Sequence, residues 1–200
     1  MGKRCFDIAL AFAGLVLLSP LFFIVAVLIK TDSAGPVFFR QERVGRCGRP
    51  FRIHKFRTML VHAERQGPQL TVGADRRITR VGAVLRKYKL DELPQLIDVL
   101  FGSMSLVGPR PEVPQYVALY PAEVRDVVLS VRPGITDRAS IEFADESSLL
   151  AGVADPHAMY VERILPQKLS SYVHYVHSRT LIGDIRILLA TVRAIFTRRS

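Results

Sequence analysis

A mostly helical α+β fold built around one membrane-embedded segment is what the sequence predicts. Three observations predict it: a near-continuous apolar run from Ile8 to Ile29, one short stretch with strand and turn signals from Val37 to Met59, and helical spacing of apolar residues through much of the remainder.

Only Gly14, Ser19 and Pro20 interrupt the first run. As a helix it would extend about 33 Å, enough to cross the hydrocarbon core of a bilayer. Lys3 and Arg4 resemble the n-region of a signal peptide, but the run is too long and lacks a small-residue cleavage site. Basic residues flank it on both sides, with Lys3 and Arg4 before it and Lys30, Arg40, Arg43, Arg46 and Arg49 after it. That distribution would keep both ends in the cytoplasm, which a straight span cannot do. Pro20 predicts a kink, with Ser19 available to satisfy a freed backbone group. A re-entrant helix reconciles these features, and on physics alone it stands level with a spanning one. The division expected is a membrane helix over residues 1–32 and a catalytic domain over 33–200.

Hydrophobic residues make up 49% of the 200, which excludes general disorder, and the formal net charge of +10 predicts attraction to polyanions. Charge alone does not choose among nucleic acid, anionic lipid and phosphorylated substrate. Cys5 and Cys47 form no CxxC or Cys/His cluster, so neither zinc nor a disulfide framework is supported.

Val37 to Met59 reads as a short β-hairpin or irregular ribbon around a turn at Gly45 to Pro50. Most of its arginines suit a solvated rim, whereas Lys55 and Arg57, set among apolar residues, suit an anion site. His62 to Asp75, with Gly67 and Pro68, reads as a loop. Ile78 to Lys89 reads as a helix with Val81, Val84, Leu85 and Tyr88 on one face, and Arg86 lies one turn before an acidic pair. Helices broken near Pro121 are expected over Pro114 to Val131, then a loop with a short helix over Asp137 to Gly152 and a helical region from Asp155. His174 and His177 lack a third ligand and read as surface or packing residues. The apolar stripe Leu181, Ile185, Leu188, Leu189, Val192, Ile195 and Phe196, with Arg186, Arg193, Arg198 and Arg199, reads as an amphipathic interfacial helix.

The acidic pair is Asp91 and Glu92, followed by Leu93 and Pro94. The pattern predicts a helix with Asp91 at its N-cap, ending near Leu100 before Gly102, and a cap position favours the carboxylate anion. Such a group serves as a nucleophile or a metal ligand. Further on, Pro109 and Pro111 hold Arg110 between two rigid residues, an arrangement suited to bidentate phosphate recognition. Taken singly, each feature is more often a helix cap or a solvated turn; together they favour chemistry on a phosphorylated substrate.

Ser19-Pro20, Lys55-Phe56-Arg57-Thr58-Met59, Leu90-Asp91-Glu92-Leu93-Pro94-Gln95-Leu96, Gly108-Pro109-Arg110-Pro111 and Arg132-Pro133-Gly134-Ile135-Thr136 occur in this order. The series resembles the bacterial sugar transferases, and more narrowly the small monotopic phosphoglycosyl transferases that initiate glycoconjugate assembly. The resemblance implies transfer of a sugar-1-phosphate from a UDP-sugar to undecaprenyl phosphate, with release of UMP and a requirement for Mg2+. It implies an N-terminal re-entrant helix and a site at the cytoplasmic face of the bacterial inner membrane, in contact with membrane lipid. It also implies that Asp91 is the nucleophile of a covalent phosphosugar intermediate and that Glu92 assists, the pair together holding the metal. Lys55, Arg86, Arg110 and Arg132 would hold phosphates, and Arg110 and Pro111 would lie on the nucleotide side. A homodimer is compatible with this reading. Nucleic acid is not expected as a partner, because the acidic pair would go unused and the arginines lack an aromatic stacking platform. The chain departs from the family pattern at Asp137-Arg138-Ala139-Ser140 and at Ala144, the region associated with sugar recognition, so no sugar is carried over.

Overall fold

A computed structural model describes residues 2–63, 72–73 and 75–197. Most of the expected loop after His62, with Gly67 and Pro68, lies outside the described residues, as do Arg198 and Arg199.

The apolar run forms α1, Gly2–Asp32. It is one continuous helix through Pro20. Pro20 has no N–H to give the carbonyl of Val16, and the Ser19 hydroxyl donates to that oxygen instead at 2.8 Å. Only Asp7, Ala11, Val25 and Ile29 are buried, while Leu17 is 79% and Phe23 73% exposed. Among the described residues α1 is the one helix long and apolar enough to cross a membrane. Its apolar side chains face outward, the reverse of a soluble core helix.

The expected hairpin is present. β1, Phe38–Val44, and β2, Pro50–Phe56, pair antiparallel from Phe38 opposite Phe56 to Val44 opposite Pro50. Phe56 stacks on Phe38 and meets the ring of Phe22 edge-on at 5.2 Å, which ties the hairpin to α1. α2, Arg80–Lys87, buries Leu85 as its spacing predicts, but Val84 is 54% exposed.

α3 spans Gln95–Phe101 and ends at Gly102, whose φ of 92° only glycine adopts without strain. Its start differs from the sequence reading. Asp91 is not the N-cap: the acidic pair lies in a separate 3-10 turn, Leu90–Glu92, and Pro94 precedes α3. The cause is local. Pro94 supplies no N–H, so bonds three residues apart, from Leu93 N to Leu90 O and from Leu96 N to Leu93 O, carry the chain through this segment.

After α3 comes β3, Ser105–Val107, which pairs in parallel with β4, Gly134–Thr136. Three-residue strands give no usable alternation, and the sequence reading missed this second sheet. A Cβ at Gly134 would fall 2.1 Å from the Gly108 nitrogen, so the close approach of the two strands requires glycine there. Between the strands lie α4, Pro114–Val117, and α5, Ala122–Leu129, separated at Pro121 as expected. The region expected as a loop with one short helix holds two, α6, Arg138–Glu142, and α7, Glu146–Leu149. α8, Pro156–Met159, is capped by Asp155 and leads through a wide π turn, Tyr160–Ile164, into α9, Leu165–Ser178. α10, Leu181–Thr197, completes the described chain. On α10, Leu189, Val192 and Phe196 are more than half exposed, so core packing accounts for little of its apolar stripe.

Tyr116, Tyr160, Leu165 and Tyr172 centre one core beneath α4, α5 and α9; Ile53, Val99, Met104 and Val107 centre a second behind the acidic pair. Val25, Ile29, Phe56 and Leu85 join α1, the hairpin and α2.

Candidate active site

Lys89, in the left-handed conformation at φ 56°, turns the chain so that Asp91 and Glu92 meet the hairpin and the segment after β3. Both carboxylates line an open cavity of about 1710 Å³, together with Lys55, Arg86 and Arg110.

The two neighbours have opposite surroundings. Glu92 Oε1 accepts from Lys55 Nζ at 2.9 Å, Oε2 accepts from Arg110 at 2.9 Å, and the second Arg110 amino group also donates to Oε1. Asp91 is 7% exposed, and its Oδ1 is buried without a hydrogen-bond partner. A carboxylate oxygen left in that state is costly unless a ligand meets it.

Burial, and then the adjacent Glu92 charge, pushes Asp91 above the usual carboxylate range, against the pull of Lys55, Arg86 and Lys89. The expectation of an anion favoured by a helix cap is therefore overturned. Burial also acts to raise Glu92, but the Arg110 and Lys55 charges and the Arg110 hydrogen bonds outweigh it and hold that carboxyl well below its ordinary value. For Lys55 burial prevails over Glu92 and lowers the ammonium. For Arg110 burial is opposed by Glu92, which keeps the guanidinium charged.

Arg86 reaches the cavity from α2, and its Nε donates to Thr58 Oγ1 at 3.0 Å. Arg110 also donates to the Ile135 carbonyl at 3.3 Å, which fixes it over β4. Two other sequence candidates point elsewhere. Arg132 Nε donates to Gly102 O at 2.8 Å, at the far end of α3, and Arg132 is not on the cavity wall. Pro111 also lies off that wall and offers its carbonyl to Arg43 at 2.9 Å. Arg57 is buried on the cavity wall; it donates to the carbonyls of Ser33 and Ala34, and its Nε has no partner. His174 and His177 are exposed, as expected. Asp184 is buried, salt-bridged to Lys3 and accepts from the Tyr175 hydroxyl at 2.9 Å.

Sequence reasoning passed over Arg43, Glu112 and Tyr160, all on the cavity wall or against it. Tyr160 donates to Glu112 at 2.7 Å, and Arg43 lies 3.6 Å from the same carboxylate. Strand alternation marked Arg43: on β1 Phe39, Gln41 and Arg43 are half-buried, while Arg40 and Glu42 are exposed.

An acidic pair ringed by cations in an open cavity is an arrangement suited to phosphorylated ligands. The chain belongs to the bacterial sugar transferase family, whose sequence pattern matches residues 1–198. It is 40% identical over 197 residues to an Aeromonas hydrophila UDP-N-acetylgalactosamine-undecaprenyl-phosphate N-acetylgalactosaminephosphotransferase, covering 98% of this chain and 44% of that one. It is 36% identical to a UDP-glucose:undecaprenyl-phosphate glucose-1-phosphate transferase of Caulobacter vibrioides, covering 98% of this chain and 70% of the relative. It is 39% identical to the exopolysaccharide production protein PSS of Rhizobium leguminosarum bv. phaseoli, covering 98% and 96%. The chain thus spans less than half of the Aeromonas relative and nearly all of the Rhizobium one.

Proposed function

We propose that this chain transfers a sugar-1-phosphate from a UDP-sugar to undecaprenyl phosphate, through a covalent intermediate on Asp91 and with release of UMP. The observation that carries the reading is the unpartnered, buried Asp91 oxygen on the wall of a cation-lined cavity, beside a Glu92 whose two oxygens are both engaged.

An ionised Asp91 oxygen attacks the phosphorus that bears the sugar. A new carboxyl–phosphorus bond forms, the bond to the oxygen bridging the two phosphorus atoms breaks, and UMP leaves with the electron pair. A phosphate oxygen of undecaprenyl phosphate then attacks the same phosphorus and expels the Asp91 carboxylate. Two displacements at one carboxylate spare two bulky anions a direct encounter. Lys55, Arg86 and Arg110 hold the phosphate oxygens and offset the charge that develops on them. Glu92 keeps Lys55 and Arg110 in place while no phosphate is bound.

Magnesium would be held through Asp91, whose buried Oδ1 has no protein partner, since the ion is commonly bound by one or two carboxylates together with substrate phosphates. Glu92 would first have to give up a cation. Bound there, the ion would neutralise diphosphate charge and polarise the reacting phosphorus.

The same reading seats α1 as a re-entrant helix and places the cavity at the cytoplasmic face of the inner membrane. Both ends of α1 are anchored to the one catalytic domain, by Lys3 on Asp184 and by Asp32 accepting from Val81 N at 3.1 Å, which supports entry and exit on one side. The relatives' names carry two different sugars, so the donor sugar is left to experiment.

UMP release from a panel of UDP-sugars, with undecaprenyl phosphate and magnesium, tests the reading. Release with one sugar, lost on chelation and in Asp91→Asn, is the expected result; retained turnover in Asp91→Asn would remove the nucleophile.

A further inference from the structure

α1 packs on the hairpin, α2 and α3 through apolar residues, and at its two ends polar residues add hydrogen bonds to the domain. Near its start Asp7, 2% exposed, accepts from Ser105 Oγ at 2.7 Å and from Leu106 N at 3.4 Å. Lys3 donates to Val107 O at 3.2 Å. These contacts grip the whole of β3, and Arg110 lies three residues beyond it. At the other end Asp32 accepts from Val81 N, in the first turn of the helix that carries Arg86. The Ser33 and Ala34 carbonyls that follow α1 receive Arg57, two residues beyond Lys55. Midway, a Cβ at Gly14 would lie 3.2 Å from Leu96 on α3, directly after the acidic pair.

The segment that leads to Arg110 and the helix that carries Arg86 are therefore bonded to opposite ends of α1. A buried carboxylate is costly to place on an otherwise apolar helix, and Asp7 is placed there in hydrogen bonds to β3, whose Leu106 lines the cavity. Packing α1 against the domain needs only apolar residues. What the polar contacts add is register.

We propose that α1 is a brace in which Asp7 and Asp32 are positioning residues, setting the separation of Arg110 from Lys55 and Arg86, so that the seating of α1 in the bilayer is transmitted to the acidic pair. The proposal rests on the membrane reading of α1. A helix strained by hydrophobic mismatch tilts or bends, and a bend near Pro20 alters the distance between its two anchored ends. Because both ends are clamped by hydrogen bonds, that change reaches β3 and the start of α2.

The test uses the protein in lipid nanodiscs with acyl chains of about 14 and about 18 carbons, spanning a thickness change that membrane helices sense. Two quantities are read: single-turnover UMP release without acceptor, and hydrogen exchange at the Leu106 and Val81 amides. Wild type is expected to differ between the two lipids by about threefold or more in release rate, a coupling of the size packed elements transmit. The exchange rates of both amides should change together. In Asp7→Ala and Asp32→Ala the lipid dependence of release should flatten, and Asp7→Glu should restore part of it. Unchanged exchange in the Tyr160–Leu169 core shows that the variants are folded. Equal lipid dependence in wild type and variants, or none in wild type, overturns the brace. Were no UDP-sugar to yield UMP, the donor reading would fall while the exchange at the two amides still decided the brace.

Discussion

α3 is seven residues long, and its two ends are electrostatically unlike. At its C-terminal end the exposed carbonyls are met by cations: Arg4 donates to Leu100 O at 3.2 Å and Arg132 to Gly102 O at 2.8 Å. That is the arrangement a helix dipole favours, and it leaves nothing over for a ligand. Ahead of its N-terminal end stands a turn with two carboxylates and one unpartnered oxygen, faced by cations bound to only one of the two. Arg110 and Arg132 look alike in the sequence, each beside a proline. One is held in the cavity by a carboxylate, and the other is a cap. What separates stabilising charge from reactive charge here is whether every group has a partner.

The largest break in that comparison is Asp91→Asn. On the proposed mechanism this removes the nucleophile and should reduce sugar-phosphate transfer by about 10³-fold or more. Because the folded state holds Asp91 above its ordinary value, ionisation of the native carboxyl costs stability that is absent below the unfolded carboxylate range and grows as pH rises through the native value. Asp91→Asn removes that cost, so near neutral pH the variant should melt no lower than wild type, and higher if the aspartate is ionised. A lower melting temperature would mean that Asp91 is structural.

Glu92→Gln should act in the reverse sense. It leaves Arg110 and Lys55 without a counter-charge and should cost about 2–4 kcal/mol in denaturant unfolding, as for one partner lost from a buried ion pair.

A smaller effect sharpens the pairing. On the proposed mechanism transfer needs ionised Asp91, so the rate should fall as pH drops through a value above the ordinary 3.8. Glu92 is among the causes that raise Asp91, so in Glu92→Gln this acid limb should move to lower pH, as read from single-turnover release. An acid limb that stayed in place would show that the two carboxyls do not interact.

The smallest effect belongs to the other end. Arg132→Met should cost about 1–2 kcal/mol through the lost bond to Gly102 O and leave the donor KM unchanged. A raised KM would return Arg132 to the phosphate site.

Much of this was legible in the sequence where a signal was local. Ser19 filling the bond that Pro20 cannot make, the hairpin turning at Gly45 to Pro50 and the stop at Gly102 all follow from residue chemistry within a few positions. The acidic pair and the Lys55 and Arg110 motifs were legible as a set, although sequence could not assign both cations to Glu92. The short parallel pair β3–β4 was not legible, because three residues give no period. Nor was the state of Asp91: a cap and a 3-10 turn before Pro94 share the same residue types, and burial by distant segments inverted the expected shift. The bonds of Arg57 and Arg132 to backbone carbonyls remote in sequence were not legible for the same reason.

The most direct test is to incubate the protein with a UDP-sugar that it turns over, without acceptor, and map the product by peptide mass spectrometry. A sugar-phosphate adduct on Asp91, formed with one UMP per active site and discharged by undecaprenyl phosphate, is the predicted result. An adduct on Glu92, or turnover at full rate with no adduct formed, would contradict it.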